Sequence, residues 1–330
     1  MEGTTLPSTE VRPLFARVLA ETRGLRVEMT TAIVLSGGGN LGAMQAGSVV
    51  ALFEAGIKPD LLVGTSVGAM NSAFLATHPG LEGAVALRDA WAALRRAEAI
   101  QLDPLLAFMG FFGLRDHLVS AKQLRRLLEK WIPIDRFEQS ALPFGVVATD
   151  ALSGDAVVVT SGEVGPALAA SSAIPGIFPP VRIEGRWLID GSLSSNHPVI
   201  EAQDLGADEI YLVTTVTAPR TAPPKGAVAV AMNSVSLLTT RVARLQVAEA
   251  HRRAEQMGGH IHVVPSAEPL APGPFDYRRS AELAEQAYRR TKQWLNEELR
   301  PVGLARSNSS IVFPAAKRVL GRGALSGGQP

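Results

Sequence analysis

The stretch Leu61-Leu62-Val63-Gly64-Thr65-Ser66-Val67-Gly68-Ala69-Met70 reads as a short buried strand, a sharp turn at Ser66 and the start of a helix. A backbone that reverses so abruptly between strand and helix needs small residues on both sides of the turn. Gly64 and Gly68 supply them, and the resulting Gly-x-Ser-x-Gly leaves the serine hydroxyl exposed at the strand's end. The helix that begins just after Ser66 directs its unpaired N–H groups and the positive end of its dipole at the same spot. Negative charge that develops there is stabilised.

A second unit of the same kind precedes it. Thr31 to Ser36 is a compact apolar strand, Gly37-Gly38-Gly39-Asn40-Leu41-Gly42 a glycine loop, and the run through Met44, Val49, Val50, Leu52 and Phe53 a helix. Glycines let backbone N–H groups converge on an anion where side chains would block the approach. Gly37, Gly39 and Gly42 fit G-x-G-x-x-G, and Asp60 follows at roughly the 20-residue distance of a dinucleotide site. A ribose-binding carboxylate belongs at the end of the second strand, however, whereas Asp60 precedes Leu61, which weakens that reading. No Lys-Ser/Thr follows Gly42, so a Walker phosphate loop is excluded. If the second strand delivers Ser66, parallel neighbouring strands bring both turns to one sheet edge, and N–H groups of the loop face an oxyanion formed at the serine.

The bulk numbers restrict the partners. At 330 residues the chain is one large α/β domain or two smaller ones, with 46% hydrophobic and 19% charged residues, as in globular proteins. A net charge of +1 makes no demand for nucleic acid. The absence of cysteine excludes a thiol nucleophile, a disulfide and cysteine-ligated metal, and suits a cytoplasmic setting. No apolar run reaches the roughly 20 residues of a bilayer span. Glu2 and Glu10 stand where a signal peptide is basic and then apolar. The expectation is a soluble, cytoplasmic protein that can still touch membranes from outside.

Other segments supply context. Val11, Leu14, Phe15, Val18 and Leu19 mark an amphipathic helix over 8–21, expected to pack on the main domain. Pro104 to Leu114 is uncharged and carries Phe108, Met109, Phe111 and Phe112, so that 105–114 reads either as a buried cap or as an apolar lip for acyl chains. Strands are expected at Phe144–Thr149, Ala156–Thr160, Glu209–Thr214 and His260–Val264. Leu188-Ile189-Asp190-Gly191 describes a carboxylate at the tip of a strand with a tight turn behind it, although Asp-Gly is also a common plain turn. Asn233 to Met257 reads as a long helix whose Arg241, Arg244, Arg252 and Arg253 form a solvated face, and Ser280 to Leu299 as the last helix. The organisation expected is an N-terminal helical extension over 1–30, a main domain over 31–300 with a motif-bearing core at 31–214, and a loose tail over 301–330. Arg306, Lys317, Arg318 and Arg322 in that tail would suit anionic lipid surfaces.

Taken together, the glycine loop ending in Gly42, Gly64-Thr65-Ser66-Val67-Gly68 and Asp190-Gly191 resemble the patatin-like phospholipase family in order and spacing. Ala173-Ile174-Pro175-Gly176-Ile177-Phe178-Pro179-Pro180 and Asn196-His197-Pro198 are similar to further family features. The resemblance implies a three-layer α/β/α fold with a mainly parallel central sheet. It also implies a serine–aspartate dyad that hydrolyses acyl esters of phospholipid or another lipid. Ser66 would be the nucleophile, Asp190 the base, and the N–H groups of Gly37, Gly38 and Gly39 the oxyanion hole, with Gly64, Gly68 and Gly191 supporting the turns. No cofactor or metal is expected, because neither His-Glu-x-x-His nor a spaced calcium loop is present.

Two positions depart from the family pattern. Leu41 stands where a basic residue is usual, and Ser192 stands third in Asp-Gly-Gly/Ala, a small change expected to be tolerated. Two rivals remain. An α/β-hydrolase triad could draw on His251, His260 or His262 after Asp190, with His197 close by but of the kind that usually hydrogen-bonds structurally in a loop. The serine, however, comes on the second strand, early for that fold. A non-catalytic lipid- or dinucleotide-binding protein would have little reason to keep both Ser66 and Asp190. The motifs leave the oligomeric state open.

Overall fold

The computed structural model describes residues 29–94, 131–215, 223–265 and 277–298. The expected helix within 8–21, the apolar run at 105–114 and the tail over 301–330 lie outside them.

β1 (Thr31–Leu35) leads through the glycine loop into α1 (Gly42–Glu54), and β2 (Leu61–Thr65) leads into α2 (Val67–Thr77) and α3 (Gly80–Ala93). Next come β3 (Phe144–Asp150), β4 (Ala156–Val159), α4 (Val164–Ser171), β5 (Val181–Ile183) and β6 (Arg186–Asp190). Two short helices, α5 (Ser192–Ser195) and α6 (Val199–Asp204), precede β7 (Glu209–Val213), the long α7 (Ala227–Met257), β8 (His260–Val264) and α8 (Ser280–Glu298). The strands form one sheet in the order β5-β6-β3-β2-β1-β7-β8, with β4 added to β3. β1, β2, β3, β7 and β8 are parallel, so the sheet is mainly parallel as expected.

Apolar strands buried on both faces need helices on both sides. Side-chain alternation divides the core in two. Ile33, Leu35 and Leu62 join a cluster with residues of α1, α2, α3, α4 and α8. Ala32, Val34, Leu61 and Val63 point the other way, against Val199 and Ala202 of α6 and Val247 and Ala250 of α7. Three layers result, α/β/α.

Strand register then sets up the site. β1 and β2 are parallel neighbours with Leu35 opposite Gly64, so the glycine loop and Ser66 leave the sheet at the same edge. β4 occupies one side of β3 along Val146–Thr149, which leaves the other side to both β2 and β6. These two run towards each other and stop head to head: Thr65 is opposite Val147, and Asp190 is opposite the next residue, Ala148.

Two details differ from expectation. α7 begins at Ala227, well before Asn233. Its opening Ala-Val-Ala-Val-Ala lacks a helical period, yet alanine is the strongest helix former and carries the helix through. The short helices α5 and α6 are too brief to show a period at all.

Candidate active site

The serine turn is strained in the way its chemistry needs. Ser66 has φ 55° and ψ −121°, a conformation that non-glycine residues rarely hold. The packing around it holds it there. A β-carbon on Gly64 would lie 2.3 Å from the Gly68 carbonyl oxygen, and one on Gly68 would lie 2.1 Å from the carbonyl oxygen of Leu35. Glycine at both positions lets α2 fold back onto β2 while touching the end of β1. The Ser66 N–H donates to Ser171 Oγ at 2.8 Å, and that hydroxyl donates to the Val147 carbonyl at 2.6 Å. Ser66 is only 8% accessible, less open than its motif suggests, because the glycine loop and α5 close over it. A β-carbon on Gly37 would sit 3.6 Å from Ser66 Cβ and 3.5 Å from Ser192 Cβ.

The head-to-head strands bring Asp190 to the serine. Ser66 Oγ donates to Asp190 Oδ2 at 2.9 Å. The other carboxylate oxygen accepts from the Ser192 N–H at 2.9 Å and from Ser192 Oγ at 2.6 Å. Burial is the dominant influence on this carboxyl and raises its pKa, while the bonds from Ser192 and Ser66 pull it down. The net shift is upward, which makes the carboxylate a stronger base than a solvated aspartate. Its backbone is also held, with the Asp190 N–H on the Ala173 carbonyl and its own carbonyl accepting from Thr149 Oγ1 at 2.8 Å.

The three loop glycines differ in their use. The Gly37 N–H donates to the Asn196 carbonyl at 3.2 Å, and the Gly37 carbonyl accepts from Thr215 Oγ1 at 2.6 Å. Among the described residues, no acceptor takes the N–H of Gly38 or Gly39, and Gly39 is in the left-handed region at φ 57°. Leu41 is buried in the larger core cluster, so the place of the family's basic residue is filled by a packing side chain. The start of the loop is tied down from behind: Gln45 Nε2 donates to the Ser36 carbonyl at 2.7 Å, Asn71 Nδ2 to Gln45 Oε1 at 2.9 Å, and Trp91 Nε1 to Asn71 Oδ1 at 2.9 Å.

No histidine among the described residues hydrogen-bonds Ser66 or Asp190. His262 and His260 belong to β8, three strand positions from β2, about 14 Å at ordinary strand spacing. His262 Nε2 is 2.6 Å from Glu209 Oε1, and its ring stacks on Tyr211. Burial lowers the pKa of His251 and of His197, so both are neutral near pH 7.

Several supporting residues carry no motif of their own. Thr65 Oγ1 donates to the Ser195 carbonyl at 2.7 Å, and Ser195 Oγ donates to the buried Glu201 Oε2 at 2.9 Å. Burial raises the Glu201 pKa. Ser171 sits just before the proline-rich run, and that position is the only hint in the sequence of its contact with Ser66.

A three-layer α/β/α chain with a serine–aspartate pair at the strand-end edge of its sheet is the class that fold and site define. The profile of the patatin-like phospholipase family matches residues 33–202, and the chain belongs to that family. A protein named lysophospholipase nte1, from Aspergillus terreus, is 26% identical over 80% of this chain and 18% of its own length. An uncharacterized NTE family protein of Mycobacterium tuberculosis is 34% identical over 59% of this chain and 31% of its own. The chain thus spans a third or less of these relatives. Among solved structures, human GIVD cytosolic phospholipase A2 is similar with a TM-score of 0.45 and 13% identity, over 89% of this chain and 63% of that one. VipD from Legionella pneumophila has a TM-score of 0.42 and 16% identity, over 82% of this chain and 67% of that one.

Proposed function

We propose that the protein is a serine acyl hydrolase that cleaves carboxylic ester bonds of lipids through Ser66 and Asp190. The observation that carries this reading is the 2.9 Å hydrogen bond from Ser66 Oγ to a carboxylate with a raised pKa. A serine hydroxyl is a weak nucleophile until a base within such reach removes its proton during attack. Family membership and the lysophospholipase names among the relatives support lipid as the substrate class.

In this mechanism Ser66 Oγ attacks the acyl carbonyl carbon and its proton passes to Asp190 Oδ2. The carbonyl oxygen becomes an oxyanion, held by the N–H groups of Gly38 and Gly39, while Gly37, committed to Asn196, shapes the loop. The ester C–O bond then breaks, and the proton on Asp190 goes to the departing alcohol. Water attacks the acyl-serine with Asp190 again taking a proton, which passes to Ser66 Oγ as its bond to the acyl carbon breaks and the fatty acid leaves. The scheme uses no histidine and no metal. The protein would work on lipid from the water side, and no helix among the described residues is long and apolar enough to cross a membrane.

The test is fatty acid release from phosphatidylcholine and from lysophosphatidylcholine, followed by mass spectrometry in ¹⁸O-water. One heavy oxygen should enter the released acid, and Ser66→Ala and Asp190→Asn should each stop release. Release that survives Ser66→Ala would overturn the assignment.

A further inference from the structure

α7 carries two apolar faces, and only one of them is used by the fold. Ala243, Val247, Ala250 and Ala254 are buried against the body, which fixes the C-terminal half of the helix. At about 100° per residue these four lie within roughly 60° of one another. Val230, Val235, Leu237, Leu238, Val242 and Leu245 are all exposed, and they fill an arc of about 160° on the opposite side, which also holds Ser234 and Arg241. Leu237 and Leu238 are each 64% accessible and Leu245 is 63%, values usual for lysine and not for leucine.

The contacts of α7 show where this face points. Arg253 reaches Asp204, close to the start of β7, while Gln246 Nε2 donates to the Ser194 carbonyl in α5, directly after Asp190. The helix therefore climbs from the far edge of the sheet to the edge that bears Ser66. The helix before Ala243 extends past that edge, a projection of about 24 Å at the usual helical rise. Within it, no side chain described from Ala229 to Val242 is buried. Charge follows a pattern too. Between Glu209 and Glu249 the chain has no acidic residue, and its ionic side chains there are Arg220, Lys225, Arg241 and Arg244.

We propose that the N-terminal half of α7 is the surface by which the protein docks on a lipid bilayer with anionic headgroups. The proposal rests on the lipid-hydrolase reading for its biological sense, because it places the dyad edge of the sheet towards the substrate phase. An apolar face that holds Arg241, has Arg244 beside it and meets no acidic residue before Glu249 is the pattern that buries in the acyl boundary and is drawn to anionic lipid. The face is one helix wide and about 22 Å long from Val230 to Leu245, a few hundred Å² at most, whereas a stable protein partner covers roughly 800 Å² per side. A bilayer needs no matching groove.

The test uses flotation of the full-length Ser66→Ala protein with vesicles of phosphatidylcholine, alone or mixed with phosphatidylglycerol. Binding should be stronger to the mixed vesicles, and adding Leu237→Ser, Leu238→Ser and Leu245→Ser should lower the partition about tenfold or more. The same three substitutions in the active protein should leave hydrolysis of soluble p-nitrophenyl butyrate within about twofold of the parent, which shows an intact fold and site. Equal partition of the two proteins overturns the proposal. So does a lipid-free dimer in sedimentation velocity that the three substitutions split, since that assigns the face to a second copy. Vesicle binding by Ser66→Ala is independent of turnover, so the two readings fail separately. A protein that floats with vesicles but hydrolyses no ester contradicts the hydrolase and leaves the docking face standing, and one that hydrolyses ester but does not float contradicts the docking face alone.

Discussion

Ser192 Oγ lies 2.6 Å from Asp190 Oδ1, closer than Ser66 Oγ lies to the other oxygen of the same carboxylate, at 2.9 Å. A hydroxyl stands here where the family pattern has glycine or alanine, and it stabilises the ionised form of the proposed base. Ser192→Ala removes that bond and leaves the backbone N–H bond in place, so the Asp190 pKa rises further. The base is active when deprotonated. The acidic limb of kcat/KM for a soluble ester should therefore move to higher pH, with the plateau within about tenfold of the parent. An unmoved limb, or one moved to lower pH, would contradict Asp190 as the base.

Asp190→Asn separates activity from stability. Burial raises the carboxyl's pKa in the folded protein above its unfolded value, so the fold prefers the protonated form. Its contribution to stability is greatest below the unfolded value of about 3.9 and declines as pH rises through the folded one. Asparagine has no such dependence. The Tm of Asp190→Asn relative to the parent should rise from acid to neutral pH, while ester turnover falls by at least about 10³-fold.

Ser171 tests the support of the strained turn. Its hydroxyl accepts from the Ser66 N–H and donates to the Val147 carbonyl, both buried. Ser171→Ala leaves two buried backbone groups unpaired and should cost about 1–3 kcal/mol in a denaturant titration. Turnover should fall with unchanged pH dependence, because Asp190 is untouched.

How far the sequence led can be read from particular residues. Gly64, Ser66 and Gly68 were legible because the turn tolerates few residue types, and Leu61 to Val63 because strands buried on both faces are continuously apolar. The parallel pairing of β1 with β2 followed from two strand–loop–helix units in a row. The meeting of β2 and β6 on one edge of β3 did not, because pairing across a hundred residues leaves no local period. Asp190 stood out only as a strand-tip Asp-Gly and through the family resemblance. The Gly37 N–H bond to Asn196 was equally invisible, since one backbone carbonyl looks like any other in sequence. The arginines of α7 suggested a solvated face, and the exposed leucines between them emerged only once the helix was seen to leave the body of the protein.

The two glycine turns should respond differently to a methyl group. A β-carbon on Gly68 would meet the Leu35 carbonyl oxygen at 2.1 Å, a backbone atom inside the sheet, so Gly68→Ala should destabilise the fold by about 2 kcal/mol or more. On Gly38 it would meet Thr215 at Oγ1 (2.2 Å), Cβ (2.7 Å) and Cγ2 (2.8 Å), one residue that follows β7 and is not part of the sheet. Gly38→Ala should shift the loop, keep the Tm within a few degrees, and lower kcat by about 10²- to 10³-fold through loss of an oxyanion donor. Thermal melts read beside ester kinetics check both.

The most direct measurement is the rate of labelling by a fluorophosphonate, followed by intact mass and peptide mapping in the parent, Ser66→Ala, Asp190→Asn and single replacements of His197, His251, His260 and His262. The expected result is a single adduct on Ser66, none in Ser66→Ala, labelling slowed by at least about 10³-fold in Asp190→Asn, and near-parental rates in all four histidine variants. A histidine variant as unreactive as Ser66→Ala, or an adduct on another residue, would contradict the serine–aspartate dyad.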